Sequence, residues 1–431
     1  MRTERQTSDG AVTDHAASER SGFDRSQAAE QRAPLRDGLL YCVKVFVGTR
    51  LALAAIALIG IALLPDFSHV SESVRSQLPI VPTPVSVPGW PAHAVTPGWH
   101  NVFTAWERLD ALWFLKIATH GYAKTDASAA FFPLYPALIA VLSFLLGRHP
   151  LAASLTISNG AFLGALMVLY ALSRDELSDG VARRAVLYAA VFPTAFFFLA
   201  PYSESLFLLM VLVSFWSARR GRWALAGAAG ALAALTRNLG VLVVPALLFE
   251  AVHQWLKRDR DRAPMREVLW SLVPAVGLGA YLLYWQMFSG DWLAPLHQQA
   301  NWQRELANPL VTLGHGTQDA FRYIGFYPGG YHTLDWLITV PVLAAGIYAV
   351  IRFRPTYGIY AIVALGVPLA SMFGARPLIA YSRYALPVFP IYWAFARWTE
   401  GRRAAPEVMV TASAALLGLM TLLFVNWYYV I

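Results

Sequence analysis

The chain has 431 residues, of which 57% are hydrophobic and 14% charged, with a formal net charge of +8. Soluble domains carry roughly 25% charged residues, so this composition, with a mean hydropathy of +0.46, excludes a single large soluble core and indicates a polytopic membrane protein. The positive charge does not point to nucleic acid, because the arginines lie in short loops between apolar runs, as the positive-inside rule predicts; the single cysteine, Cys42, excludes an intrachain disulfide and a cysteine-based metal site.

Residues 1–37 are polar and contain no apolar run, so they read as a disordered cytoplasmic tail rather than a signal peptide. Arg25, Arg32 and Arg36 precede the first apolar run and place that end in the cytoplasm. The remaining residues, 38–431, form one transmembrane domain. A span needs about 20 apolar residues. Spans are expected at 43–64, 151–172, 184–200, 203–218, 223–236, 238–256, 266–288, 334–351, 357–373, 383–398 and 407–429, with the C-terminus outside. Residues 65–150 form a large first external loop punctuated by prolines, and 289–333 form a second. The stretch 131–147, broken by Pro133 and Pro136, poses the topological choice. If it does not cross, the clusters Arg174/Arg183/Arg184, Arg219/Arg220/Arg222, Lys257–Arg266, Arg352/Arg354 and Arg402/Arg403 all fall on the cytoplasmic side. It is therefore expected to lie at the membrane surface. The span 223–236 is rich in Gly and Ala and should be interior to the bundle.

This topology sends the remaining polar interruptions to the external face. They are Glu107 and Asp110, Glu204, Arg237 and Asn238, the loop residues Asp291, His297, Gln298, Gln299, Trp302 and Arg304, and then Arg376, Arg383 and Tyr384. Ionisable residues at membrane depth are costly and mark functional sites. Read as one helix, residues 103–119 put Phe103, Trp106, Glu107, Asp110, Phe114 and Ile117 on one face, and Arg108, Lys116 and Thr119 on the other. Asp110 then stands in an aromatic stripe away from its own cations, where a desolvated carboxylate becomes a better base. Glu107, one turn earlier, would share or orient the site. The bland alternatives are specific. Asp110 could cap or salt-bridge a loop helix, Glu204 could cap the span that starts near Ser203, and His120 before Gly121 could simply end a helix. Arg237 and Arg383 could be snorkelling side chains or forks that grip a phosphate.

No Gly-x-x-x-x-Gly-Lys-Ser/Thr loop, His-Glu-x-x-His or Gly-x-Ser-x-Gly occurs, so nucleotide hydrolysis, zinc proteolysis and elbow-type serine hydrolysis lack support. No metal site is assigned, although Glu107, Asp110 and Glu204 leave a divalent cation possible. Short cytoplasmic loops leave no room for a domain binding a soluble nucleotide sugar, which favours a membrane-embedded donor.

Five stretches carry a family likeness: Asp110–Tyr122 with Ala130–Pro136, Phe192–Phe207, Ala234–Arg237, Gln298–Trp302 with Arg304 and Pro309, and Ser382–Leu386 with Phe389-Pro390. Together they resemble the PIG-V mannosyltransferases, over roughly residues 40–400. The resemblance implies an all-α GT-C bundle of about 11 transmembrane helices, with membrane-parallel helices in the first external loop. It implies a polyprenyl-phosphate-linked sugar donor, typically mannose, used on the outer side, and a lipid, glycan or protein acceptor. It also implies an acidic base in the first external loop, which falls on Asp110; the family usually has Trp directly before that Asp, where this chain has Leu109. On this reading the enzyme inverts the sugar, Arg383 and Arg237 hold the leaving phosphate, and Trp113, Tyr122 and Trp302 stack on the sugar. The competing class is a transporter or flippase of a lipid-linked glycan without transfer chemistry. A transporter would instead show paired repeats and charges near the midplane.

Overall fold

The computed structural model describes residues 35–63, 100–124, 126–257, 265–298, 304–326 and 329–428. The tail 1–34 and most of the Pro-rich part of the first loop lie outside the described residues. The first helix, α1 (Leu35–Leu63), starts earlier than the expected span and takes in Arg36, Asp37 and Lys44. The first loop then supplies α2 (Asn101–Thr104), α3 (Asp110–His120) and α4 (Leu134–Leu145) before the long α5 (Pro150–Glu176). Helix α4 has 12 residues, about 18 Å, and is too short to cross a hydrocarbon core of about 30 Å. It lies against α3 and α5.

Next come α6 (Asp179–Ala190), α7 (Glu204–Arg219), α8 (Trp223–Thr236), α9 (Val243–Leu256) and α10 (Val273–Ser289). Helix α8 is packed closely on α7 and α10. A Cβ on its Gly227 would stand 2.4 Å from the Trp270 carbonyl oxygen, and one on Gly277 of α10 would stand 2.6 Å from that of Ala231. The small residues therefore set the interhelical distance, but the helix is not interior as expected: Leu225 is 44% and Leu232 39% exposed on its other face. Among the described residues six helices are long and apolar enough to cross a membrane, and 134–145, 223–236 and 355–369 are shorter apolar helices.

Two expected spans are not continuous. The run 184–200 stops being α-helical at Ala190 and continues through turns and a 3-10 segment, Ala195–Phe198, to α7. Pro193 and Pro201 cannot donate to a helical ladder. Open backbone at membrane depth needs other partners, and side chains provide them. Arg50 Nη2 donates to the Phe198 carbonyl at 3.0 Å, Ser205 Oγ to the same oxygen at 2.9 Å, and Asn159 Nδ2 to the Leu199 carbonyl at 3.3 Å. Arg50 Nε also donates to Asn159 Oδ1 at 2.9 Å.

The expected span 383–398 is split in the same way. After α11 (Ala294–His297), β1 (Arg304–Leu306), α12 (Pro309–Arg322), α13 (Gly330–Arg352), α14 (Pro355–Leu369) and β2 (Ser371–Phe373) come α15 (Tyr381–Ala385), α16 (Pro390–Thr399) and α17 (Ala405–Val425). Pro387 and Pro390 separate α15 from α16. Strands β1 and β2 pair antiparallel with Arg304 opposite Phe373, tying the second loop to the segment that leads into α15.

Charges gather at two levels. At the last residue of α7, Arg219 bridges Glu176 at 2.6 Å and Glu250 at 2.5 Å, while Arg354 reaches Glu176 at 3.2 Å. These pairs join the ends of α5 and α7 and the start of α14 to the middle of α9. The first residue of α7 is Glu204, about 24 Å away along a helix of 16 residues. There the second cluster forms.

Candidate active site

The helix expected over 103–119 is broken. Helix α2 runs out through turns at Trp106 and Glu107, and α3 begins at Asp110. Leu109 between them has φ 53° and ψ −122°, a backbone region that L-residues rarely adopt. Arg108 explains the break. Its buried guanidinium turns inward, Nε donating to the Val425 carbonyl at 2.9 Å and Nη1 to the Thr104 carbonyl at 2.9 Å. It thus caps the C-terminal end of α17, where helix carbonyls lack partners and a cation is favourable. Trp106 is buried against Phe424, with ring centroids 6.4 Å apart, whereas Phe103 is 47% exposed. The single aromatic face expected from periodicity therefore does not form.

Asp110 occupies the first turn of α3, where the helix N-terminus favours an anion. It pairs with neither Arg108 nor Lys116 of its own segment; Lys116 is held by Asp126 at 2.5 Å. Instead, Asp110 Oδ2 lies 2.5 Å from Arg383 Nη1. The bland reading of Asp110 as a salt bridge is met in form, yet its partner comes from 273 residues away.

Glu204 is fully buried. Its Oε1 accepts from both Arg383 Nε and Arg237 Nη1. The capping alternative fails: Ser203 makes no side-chain cap, and Glu204 spends its carboxylate on the two guanidinium groups. Its Oε2 is buried with no hydrogen-bond partner among the described residues.

Arg237 stands where α8 ends in extended backbone, with its guanidinium carbon 5.8 Å from the centre of the Tyr384 ring. Arg383 rides on the five-residue α15, whose N-cap Ala380 is left-handed at φ 61°. Its guanidinium lies over the rings of Tyr202 at 4.7 Å and Phe197 at 5.2 Å. Such stacking stabilises a desolvated cation. Arg383 is buried and doubly paired, so the snorkelling alternative fails.

Of the charged residues that sequence reasoning sent to the external face, the structure brings Asp110, Glu204, Arg237 and Arg383 together, whereas Asp291 lies 2.8 Å from His297 and Arg376 pairs with Asp335. Glu107 does not join them. Its carboxylate makes no hydrogen bond among the described residues, and burial raises its pKa above the ordinary 4.5 while Arg108 opposes the shift. Trp113 stacks on Phe131 with centroids 5.5 Å apart, under the Lys116 ammonium. Tyr122 donates to the Phe131 carbonyl at 2.7 Å and packs against Tyr281 and Trp285. Both aromatics hold the first loop together and onto α10. Gln299 and Trp302 lie outside the described residues, and Arg304 is described only as part of β1. The neighbouring Gln298 accepts from the Ala129 amide at 2.8 Å, which joins the two external loops. His120 ends α3 at Gly121, as expected.

Sequence reasoning missed the supports behind these four residues. Arg50 and Asn159 hold the open segment that carries Phe197 and Tyr202; a lone Arg inside an apolar run was the available signal. Asp335 takes Arg376 bidentately, at 2.5 and 2.8 Å, both side chains being buried, and so anchors the segment leading to Ala380. Asp335, a lone acid inside an apolar run, carried the same kind of signal. Among the described residues no group of three or more His, Cys, Asp and Glu could hold a metal.

Fold and site together define a multi-pass membrane protein with an acid–arginine centre where loop and bundle meet. A family model described as mannosyltransferase (PIG-V) matches residues 49–372. The chain belongs to the PIG-V mannosyltransferase family. Asp110, Glu204 and Arg237 fall within the matched stretch, and Arg383 lies beyond it.

No curated protein sequence matches the chain. Among solved structures it is similar to the Cupriavidus metallidurans ArnT bound to undecaprenyl phosphate (15% identity, TM-score 0.44, covering 76% of this chain and 74% of that one). It is also similar to the Archaeoglobus fulgidus oligosaccharyltransferase in complex with Zn and sulfate (14%, 0.40, 76% and 49%). The same organism's AglB in complex with an inhibitory peptide and a dolichol-phosphate gives 13%, 0.38, 89% and 56%. The chain spans about half the length of the archaeal enzyme.

Proposed function

We propose that this glycosyltransferase moves a sugar, mannose by family, from a polyprenyl-phosphate donor to an acceptor hydroxyl, with inversion. The observation that carries the reading is the cluster itself: two arginines ordered by one sealed carboxylate, beside a second, more accessible carboxylate on a loop helix. In the transfer, the acceptor oxygen bonds to the anomeric carbon while the bond from that carbon to the phosphate oxygen breaks. The electron pair leaves with the polyprenyl phosphate, whose charge grows by one unit. The hydroxyl proton passes to Asp110. Arg383 and Arg237 meet the growing phosphate charge with donors already in position, which is how an enclosed site lowers such a barrier. The N-terminus is cytoplasmic and the cluster faces outside, as the distribution of arginines supports.

The test is to incubate purified protein with polyprenyl-phosphate-mannose and candidate lipid, glycan and peptide acceptors. Transfer is expected, and Asp110→Asn should slow it by about 10²–10⁴-fold, the usual worth of a positioned base. Transfer by folded Asp110→Asn at the wild-type rate would remove Asp110 from the mechanism. Reporter fusions at residues 178 and 315 should report opposite sides of the membrane.

A further inference from the structure

The four charges of the cluster are not equivalent. Glu204 is sealed and touches both arginines, whereas the Asp110 side chain is 23% exposed and touches only Arg383. Glu204 therefore fixes where the guanidinium groups point, and Asp110 takes Nη1 of Arg383, leaving Nη2 without a hydrogen-bond partner among the described residues. A phosphodiester arriving from the membrane is also an anion that takes guanidinium N–H groups, and it does so in paired fashion. A paired grip on the terminal edge of Arg383 uses Nη1 together with Nη2 and so competes with Asp110 for Nη1, because Glu204 already holds Nε. An Asp110 oxygen occupied by Arg383 is, for as long as it is held there, not available to an acceptor's hydroxyl proton.

A second observation bears on the same point. Leu109, which carries Asp110 into α3, is held at φ 53°, and backbone strain of this kind persists only where surrounding contacts impose it. The contact on one side of Leu109 is the Arg108 clamp on the Val425 carbonyl, and on the other it is the Asp110–Arg383 pair.

We propose that in the donor-free protein Asp110 sits in the seat of the donor's phosphate, so that donor binding and release of the base are a single exchange at Arg383. This rests on the reading of the site as a polyprenyl-phosphate glycosyltransferase. The exchange leaves the base paired and idle until a donor is seated, and then frees it beside the anomeric carbon. No bond is made or broken in the exchange itself; one anion replaces another on a fixed cation.

The experiment uses full-length protein in lipid nanodiscs and polyprenyl phosphate, which carries the phosphate and has no sugar to transfer. The Asp110 carboxyl is labelled with a water-soluble carbodiimide and quantified by mass spectrometry. Saturating polyprenyl phosphate should raise labelling at Asp110 severalfold, because the carboxylate leaves Arg383. A ligand that merely covers the site would lower it. Binding is then compared across variants. Asp110→Asn should bind polyprenyl phosphate about tenfold more tightly, equivalent to one decade of Kd. Glu107→Gln, which removes the same charge from a carboxylate that does not touch Arg383, should stay within about twofold of wild type, far less than a decade. Saturable binding with unchanged or reduced labelling overturns the exchange alone, as does equal tightening by Glu107→Gln. Absence of any binding overturns the functional reading with it.

Discussion

Replacing Glu204 by Gln tests the arrangement at its centre. The cluster holds two guanidinium groups and two carboxylates, so wild type is balanced, with Glu204 fully buried and in contact with both arginines. Gln keeps the shape, and its carbonyl oxygen can still accept from both guanidinium groups as Oε1 does, but it leaves one positive charge unbalanced. Removing one partner of a buried ion pair costs about 3–5 kcal/mol. That cost should appear as lost stability in a reversible SDS titration of the protein in mixed micelles. Adding Arg237→Gln restores charge balance, because Arg383 retains Asp110. The double variant should therefore recover about 1–3 kcal/mol of the loss, the range seen for residues that share a partner. Two results refute the reasoning: a Glu204→Gln protein within about 1 kcal/mol of wild type, against a cost of several expected for a broken buried pair, or losses that simply add in the double variant. Either would mean that water already solvates the cluster.

Other expectations follow from single contacts. Ala380 is left-handed at φ 61°; Ala380→Gly should stabilise the protein by about 1 kcal/mol, the cost an L side chain bears in that region, and a lower stability in the same titration counts against the assigned backbone. Arg108→Met strands buried carbonyls at Val425 and Thr104, each costing about 1–3 kcal/mol. Limited proteolysis should then cut near residue 109 faster than in wild type, and unchanged cleavage would show that the clamp is dispensable. For Glu107 the sign runs with its raised pKa: the folded protein holds that proton more tightly than the unfolded chain does. Its stabilising effect is present below the ordinary value of 4.5 and is lost as pH rises through the folded value. Relative to Glu107→Gln, wild type should thus lose stability on going from pH 4 toward neutrality. A constant difference between the two across that range contradicts the burial of Glu107.

What could be read from the sequence was what a one-dimensional pattern encodes. Apolar length gave the helices, arginine asymmetry argued against a crossing at 131–147, and Gly and Ala marked α8 as closely packed on its neighbours. Misplaced charge gave Asp110, Glu204, Arg237 and Arg383, because a charge among apolar residues is conspicuous whatever its partner. Pairing itself was hidden, since nothing near Asp110 in sequence specifies Arg383. The break before Asp110 was hidden too: Leu109 carries no glycine or proline signal, and its conformation is imposed by Arg108 reaching for α17. The broken runs at 184–200 and 383–398 did carry warnings in Pro193, Pro201, Pro387 and Pro390, which apolar length outweighed. Trp113 and Tyr122 show the limit of composition, since an aromatic ring that packs a loop and one that meets a sugar are the same letter.

The Arg108 clamp also orders events during synthesis. Asp110 leaves the ribosome 273 residues before Arg383, and Arg108 leaves it 317 residues before Val425. At 5–20 residues per second the second interval lasts roughly 15–65 s. Until Arg383 emerges the nascent chain carries an acid without its cation, and until Val425 emerges it carries a loop without its anchor. The loop is anchored only when α17 arrives, so a chain stalled before Val425 can insert most of its helices and still hold Asp110 on an unclamped loop.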